Sequence, residues 1–263
     1  MSLFTAQDVK ALRQATGAGM MDCKRALTES DGDMEAATQR LREKGMAKAA
    51  ARSDRASEQG AVALATDGNT AALVELRCET DFSAKAGDFT ALADELAQLV
   101  LVEGEEAVGA RQAAIEDLGL AKKENVHLGK VVRVQAAEGN ILDTYLHTQD
   151  GRGTSAVVVE ARGVGQELAH EVALHIAFAK PTVLHRDDID AGEVERERIA
   201  LTEMTKAEGK PEQAWDKIVT GRLRAWYAER VLLEQGMFGE KETVQSRLGE
   251  GAIVRFELAA IGS

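Results

Sequence analysis

Three groups of residues in this 263-residue chain are of types that do chemistry: two histidines flanking a glutamate, two cysteines, and an acidic segment that ends on an aromatic ring. His170, Glu171 and His175 suggest a zinc site. Two ligands on one helix face need a spacing of four, and the residue four after His170 is Leu174. His175 lies about 140° around a helix from that face. The pair therefore reads as one partly buried and one solvated histidine. Cys78 closes an apolar run, where a thiol is ordinarily buried and inert. Ser83, Ser155 and Ser246 lie outside any G-x-S-x-G turn. There is no G-x-x-x-x-G-K-[ST] phosphate loop, and the G-x-G pairs at Gly17, Gly151 and Gly163 lack the third glycine of a dinucleotide fingerprint. The expectation is a protein without catalytic residues, cofactor or metal.

What remains is Glu79-Thr80-Asp81-Phe82, where a strand hands over to a helix. Only 4% of the residues are aromatic, and Phe82 falls outside the apolar stripe of that helix. Two readings are open. A rigid ring on a junction can wedge into a partner's pocket, with the neighbouring carboxylate accepting hydrogen bonds. Alternatively, Phe82 folds back onto its own subdomain while Asp81 caps a short turn.

The elements that must carry this segment can be read from periodicity. Residues 5–45 predict three short helices. Thr5 and Asp8 form an acidic variant of a capping box, Thr16 to Gly19 breaks the first helix, Asp31-Gly32-Asp33 separates the second from the third, and Gly45 is expected to end the third. Residues 46–59 are Ala-rich and charged and predict a partly helical linker. From Gly60 the period becomes two: AVALAT turns at Asp67-Gly68 into AALVELRC, a hairpin. Phe89, Leu92, Ala93, Leu96, Leu99 and Val100 then mark the buried stripe of a helix starting near Asp88. VVRVQAAEGNILDTYLHT predicts a second hairpin turning at Glu138-Gly139-Asn140, and SAVVVEA a further strand before a helix marked by Leu168, Val172, Ile176 and Ala179. Strand-then-helix thus occurs twice, at 71–101 and 155–179, which predicts an α+β protein with two related subdomains, each a small antiparallel sheet with helix cover. Residues 187–235 predict a helical hairpin turning at Gly209 to Pro211, and AIVRFELAA a last strand.

A net charge of −12 repels phosphate backbones, so no direct nucleic-acid partner is expected; the basic run at 42–55 reads as a solvated helix or linker. Two cysteines suit a reducing compartment. No apolar run approaches the ~18 residues of a membrane span. The expectation is a soluble cytoplasmic protein with no membrane partner.

The run from Val9 to Leu27, VKALRQATGAGMMDCKRAL, resembles the N-terminal signature of the elongation factor Ts family, and Cys78 to Phe82, CETDF, resembles its second signature. Weaker echoes are Glu138 to Asn140 with Tyr145 and His147, then Ala177 to Pro181, and Arg255 to Glu257. The resemblance implies a ubiquitin-associated-like three-helix domain over 1–54 with a linker to about 59. It further implies core subdomains over 60–140 and over 141–181 plus 236–263, and an inserted helical hairpin over 182–235; whether that hairpin self-associates or touches only the partner is left open by the sequence. It implies a partner, elongation factor Tu, and an activity, guanine-nucleotide exchange by disturbing that GTPase's magnesium–phosphate site. Thr80, Asp81, Phe82 and Ser83 are the residues it assigns to that disturbance. Leu12, Met20, Met21 and His147 are its further partner contacts. Ser83 departs from the family's usual Val, and Gln235-Gly236-Met237-Phe238 from its Gln-Pro-Phe, so an altered turn is expected there. The resemblance also implies that longer members continue into a C-terminal helix that touches the partner, and those contacts are not expected of residues 1–263. Rival readings are a bundle that binds other partners, and a hydrolase built on Cys78 or the histidines.

Overall fold

The computed structural model describes residues 4–50, 52 and 54–262. The N-terminal bundle comprises α1 (Ala6–Thr16), α2 (Met20–Glu29) and α3 (Met34–Ala50). Its start follows from the capping box: the Thr5 hydroxyl accepts the Asp8 N–H, and the Asp8 carboxylate accepts the Thr5 N–H at 2.7 Å. The core is small: Leu12, Cys23, Leu27 and Ala37 are fully enclosed, with Val9 and Ala26 beside them. Gly45 does not end α3, which runs on to Ala50. A β-carbon at 45 would stand 2.9 Å from Leu120 Cδ2, so the missing side chain serves close approach of a neighbouring helix. Helix therefore extends into the expected linker, of which residues 51 and 53 lie outside the described residues.

The core begins with β1 (Gln59–Asp67) and β2 (Thr70–Cys78), the hairpin expected from Asp67-Gly68, with Asp67 opposite Thr70. After β2 come the one-turn helix α4 (Asp81–Ala84), α5 (Gly87–Glu103), a 3-10 segment over 105–111 and α6 (Gln112–Lys122). Next are β3 (His127–Gln135), β4 (Ile141–Gln149), β5 (Arg152–Arg162) and α7 (Gln166–Ala179). The helical hairpin is α8 (Ala191–Ala207) with α9 (Trp215–Arg230); α10 (Val244–Leu248) and β6 (Ala252–Ala260) close the chain.

β3 and β4 are not a hairpin. β3 pairs with β2, and β4 with β5, so the sheets are β1-β2-β3 and β4-β5-β6, both antiparallel. The turn at Glu138–Asn140 instead carries the chain from one sheet to the other. A buried acid on the middle strand of the second sheet decides this: the Glu160 carboxylate accepts the Ala137 N–H at 2.9 Å and Asn140 Nδ2 at 2.7 Å. Arg255 donates to its other oxygen and to the Gln135 carbonyl, tying the crossover to both sheets.

The two sheets stack face to face, with a helical layer outside each. Val62, Ala71 and Leu73 meet Ala156, Val158 and Ala259 between the sheets. Val74, Leu76 and Cys78 face α5 with Phe89, Leu96 and Val100, whereas Val157 and Val159 face α7 with Val172 and Ile176. Each middle strand is thus covered on both faces, which explains why AALVELRC and SAVVVEA are continuous rather than alternating apolar runs.

His175 is enclosed in the second core. Its Nδ1 accepts the backbone N–H of Phe238 at 3.1 Å, so Nε2 carries the proton and donates to Gln235 Oε1 at 3.0 Å. This bond holds Phe238 at φ 50°, an unusual conformation for a side chain with a β-carbon. Gly236, at φ −68°, leaves room for the Glu240 carbonyl, which a β-carbon would meet at 2.0 Å. Burial pushes the His175 pKa below its ordinary 6.5, and His127 is shifted the same way by burial and Arg77. A depressed histidine pKa means the unfolded chain takes up the proton first. The stabilisation is complete above pH 6.5 and is lost as pH falls from 6.5 through the lower folded value. The fall in melting temperature between pH 7 and 5.5 is expected to be shallower in His175→Gln; an unchanged slope would show that this histidine does not carry it.

Candidate functional site

The acid–aromatic segment sits where β2 ends. Cys78 is enclosed against α5, and burial, with the Glu124 charge second, pushes its thiol up to about 12. At neutral pH the thiol therefore stays protonated. Its Sγ donates to the Thr80 carbonyl at 3.2 Å, at the point where the chain turns. Thr80 then caps α4, its hydroxyl accepting the Ser83 N–H at 3.2 Å.

On this single turn the side chains divide. Ala84 and Ser83 point inward; Phe82 points outward and is 85% exposed, the most exposed large apolar side chain among the described residues. Of the two readings open from sequence, the ring projects. Asp81 is exposed too and pairs with Lys85 at 2.9 Å. Its hydrogen bond to Lys85 and that cation's charge hold its carboxyl below the usual range, so it is ionised at neutral pH. Lys85 also reaches Asp150 at 3.0 Å, on the turn between β4 and β5. One lysine thereby joins the α4 turn of the first sheet to the hairpin that carries His147.

His147 is exposed near the end of β4, with the Tyr145 hydroxyl 3.1 Å from its Nδ1. Both line an open cleft of about 450 Å³ with Arg152, Leu174 and Phe178. On the bundle, Met20 and Met21 are 53% and 70% exposed at the start of α2. A flexible thioether pair there suits an adaptable contact.

Two of the expected contact residues, Leu12 and Ser83, are buried in the isolated chain. Leu12 is fully enclosed between α1, α2 and α3, because its face of α1 is the one that closes the bundle core. Its side chain supports the bundle core. Ser83 is 4% exposed, and its hydroxyl donates to Glu124 Oε1 at 2.6 Å, so it anchors the turn rather than extending the apolar wedge.

Glu124 is the residue sequence reasoning missed. It follows α6, after Lys123 at φ 61° turns the chain out of the helix. Its Oε2 accepts the N–H groups of Glu79 and Thr80 at 3.1 and 3.0 Å, and its Oε1 accepts the hydroxyls of Thr80 and Ser83. Glu79 reciprocates by accepting the Asn125 N–H at 2.7 Å. The partners are more than 40 positions apart, so no local pattern announces the clasp. Lys85 was readable, since an acid and a lysine four apart share a helix face.

The histidines do not converge on a common ligand. His170 Nδ1 lies 2.9 Å from Asp143, Glu171 pairs with Arg247, and His175 is committed to Gln235 and Phe238. Among the described residues no group of three or more His, Cys, Asp or Glu side chains stands ready to hold a metal ion, and no helix is long and apolar enough to cross a membrane.

The family model described as Elongation factor TS matches residues 79–263. The chain is 42% identical to an elongation factor Ts of Kineococcus radiotolerans, over 96% of this chain and 95% of that protein. It is 39% identical to one of Deinococcus radiodurans (97% and 99%) and 42% identical to one of Mycobacterium marinum (98% and 99%). These matches, on an α+β fold of two helix-covered sheets, define a translation elongation factor. The chain belongs to the elongation factor Ts family.

Proposed function

We propose that this chain is a guanine-nucleotide exchange factor for elongation factor Tu and that it acts by pressing Asp81 and Phe82 against the GTPase's magnesium–phosphate site. The observation that carries the reading is the 85% exposure of Phe82, beside the exposed Asp81, on a turn anchored through the inward-facing Ser83 and Ala84. A GTPase holds GDP through backbone donors, a lysine and a magnesium ion bridging phosphate oxygens. Displacing those groups requires no bond chemistry. It requires a surface that binds the nucleotide-free form better than the loaded one. Weakening GDP a thousandfold takes about 4 kcal/mol of differential binding. One ring entering a pocket supplies roughly 2–4 kcal/mol of that. The ionised Asp81 adds a negative charge where phosphate and magnesium must stay together. His147 meets the same partner from the second sheet, which Lys85 ties to the α4 turn.

Binding linkage gives the test. Whatever factor the chain removes from GDP affinity, GDP must remove from the chain's affinity for Tu. Titrating the chain onto nucleotide-free and GDP-loaded Tu by calorimetry is expected to give affinities that differ by that factor. Equal affinities for the two forms would contradict exchange by this route.

Met20 and Met21 lie on a separate module and are proposed to supply affinity shared by all nucleotide states. Met20→Ala combined with Met21→Ala is expected to raise the concentration needed for half-maximal exchange by about tenfold, in line with the loss of two interface side chains. The rate at saturation should stay within about twofold. Normal affinity with a slow saturated rate would reverse that assignment.

A further inference from the structure

The geometry points to Glu124 as the positioning residue that aims Phe82: its carboxylate clamps the strand-to-helix junction so that the α4 turn presents the ring at a fixed angle. This inference rests on the exchange reading above and extends it to a residue without a partner-facing role.

The physical need comes from how short the turn is: besides its own backbone bonds it has the buried Ala84 on its inner side and the Lys85 bridge from Asp81 to Asp150. α4 has four residues, and a single turn fixes several backbone dihedrals for one or two hydrogen bonds, so by itself it is unstable. Phe82 contributes no buried contact of its own at 85% exposure. Rigidity must come from outside, and Glu124 supplies four acceptor contacts to residues 79, 80 and 83, at 2.6 to 3.1 Å. These flank Asp81 and Phe82 on both sides. The Thr80 hydroxyl relays the clamp, donating to Glu124 and accepting the Ser83 N–H. The Asn125 N–H returns a bond to the Glu79 carboxylate at 2.7 Å, so two chain segments grip each other reciprocally.

A carboxylate suits this place because it offers only acceptors, and four donors converge on it. Burial opposes its charge, but the hydrogen bonds from Ser83, Thr80 and the two backbone N–H groups outweigh that and keep its pKa below the ordinary value. The clamp is therefore closed at neutral pH. An amide in its place would present a donor to two of the four groups.

The test is a double-mutant cycle on GDP release from elongation factor Tu, with Glu124→Ala, Glu124→Gln and Phe82→Ala. Glu124→Ala is expected to lower the rate at saturating factor by about tenfold, as a misaimed group does, with half-saturation moved less than twofold. Glu124→Gln, which keeps one acceptor oxygen, should fall between wild type and Ala. In the Phe82→Ala background each change should slow release by a much smaller factor than in wild type, because only the weaker contribution of Asp81 is left to be aimed. If Glu124→Ala does not fold, Glu124→Gln is read in the same cycle. The inference is overturned by a wild-type rate in the Glu124 variants alongside a slow Phe82→Ala. It is equally overturned if Glu124 substitution slows the Phe82→Ala protein by the same factor as wild type, which would mark a general effect on the core. A wild-type rate in Phe82→Ala itself would defeat the exchange reading along with this one.

Discussion

Replacing Phe82 by Ala is expected to slow GDP release from elongation factor Tu at saturating factor by tenfold or more, while thermal unfolding of the chain stays where it was. The two halves of that result have one cause. The ring is 85% exposed, so its removal opens no cavity and strips no contact from the fold. In the proposed complex the ring enters the partner, and truncating such a side chain costs roughly 2–4 kcal/mol, or more than tenfold in rate if that contact forms as nucleotide leaves. Asp81→Ala should act in the same direction and less strongly, since Lys85 already draws on part of its charge. Stopped-flow release of a fluorescent GDP analogue measures the rate, and calorimetric unfolding the stability. A normal rate in Phe82→Ala would reduce the junction to a structural turn.

Phe89→Ala, seven residues further on, should behave in the opposite way. Phe89 is fully enclosed, at the head of α5, against β1 and β2. Its truncation removes the transfer free energy of a ring and leaves a cavity, together about 3–5 kcal/mol. For a chain of this size that lowers the melting temperature by roughly ten degrees. Exchange by the fraction that remains folded should be close to normal, because the α4 turn is held by Glu124 and not by Phe89. Denaturant unfolding checks the first expectation, and activity per folded molecule the second. A Phe89→Ala protein with unaltered stability would contradict the packing described for the first sheet.

The contrast between these two rings was partly legible from sequence. Phe89 shares helical spacing with Leu92, Leu96 and Val100, and that spacing identified a buried face. Phe82 lies outside it, but falling off a stripe does not say whether a ring points out or folds back; that depended on the hydrogen-bond partners of Thr80 and Ser83. The β1–β2 hairpin was readable because Asp67-Gly68 is a turn signal between two strands that do pair. Glu138-Gly139-Asn140 sends the same local signal between strands that do not, since Glu160, twenty residues on, pulls the turn across to the other sheet. Gly45 looked like a helix stop because a glycine admits both a left-handed turn and a close neighbour, and only the position of Leu120 distinguishes them. Leu12 fell within a signature motif that contains both core and surface residues; the bundle's packing separates it from Met20 and Met21. The elements were thus set by short-range pattern, whereas the aim of the site depends on contacts such as Glu124 with Thr80, made across 44 positions.

The most direct measurement is GDP release from elongation factor Tu as this chain is added in increasing amounts, with a large excess of unlabelled nucleotide to prevent rebinding. The release rate is expected to rise with concentration and to level off far above the spontaneous rate. A rate that stays at the spontaneous value at every concentration, with complex formation verified in the same samples, would contradict that expectation.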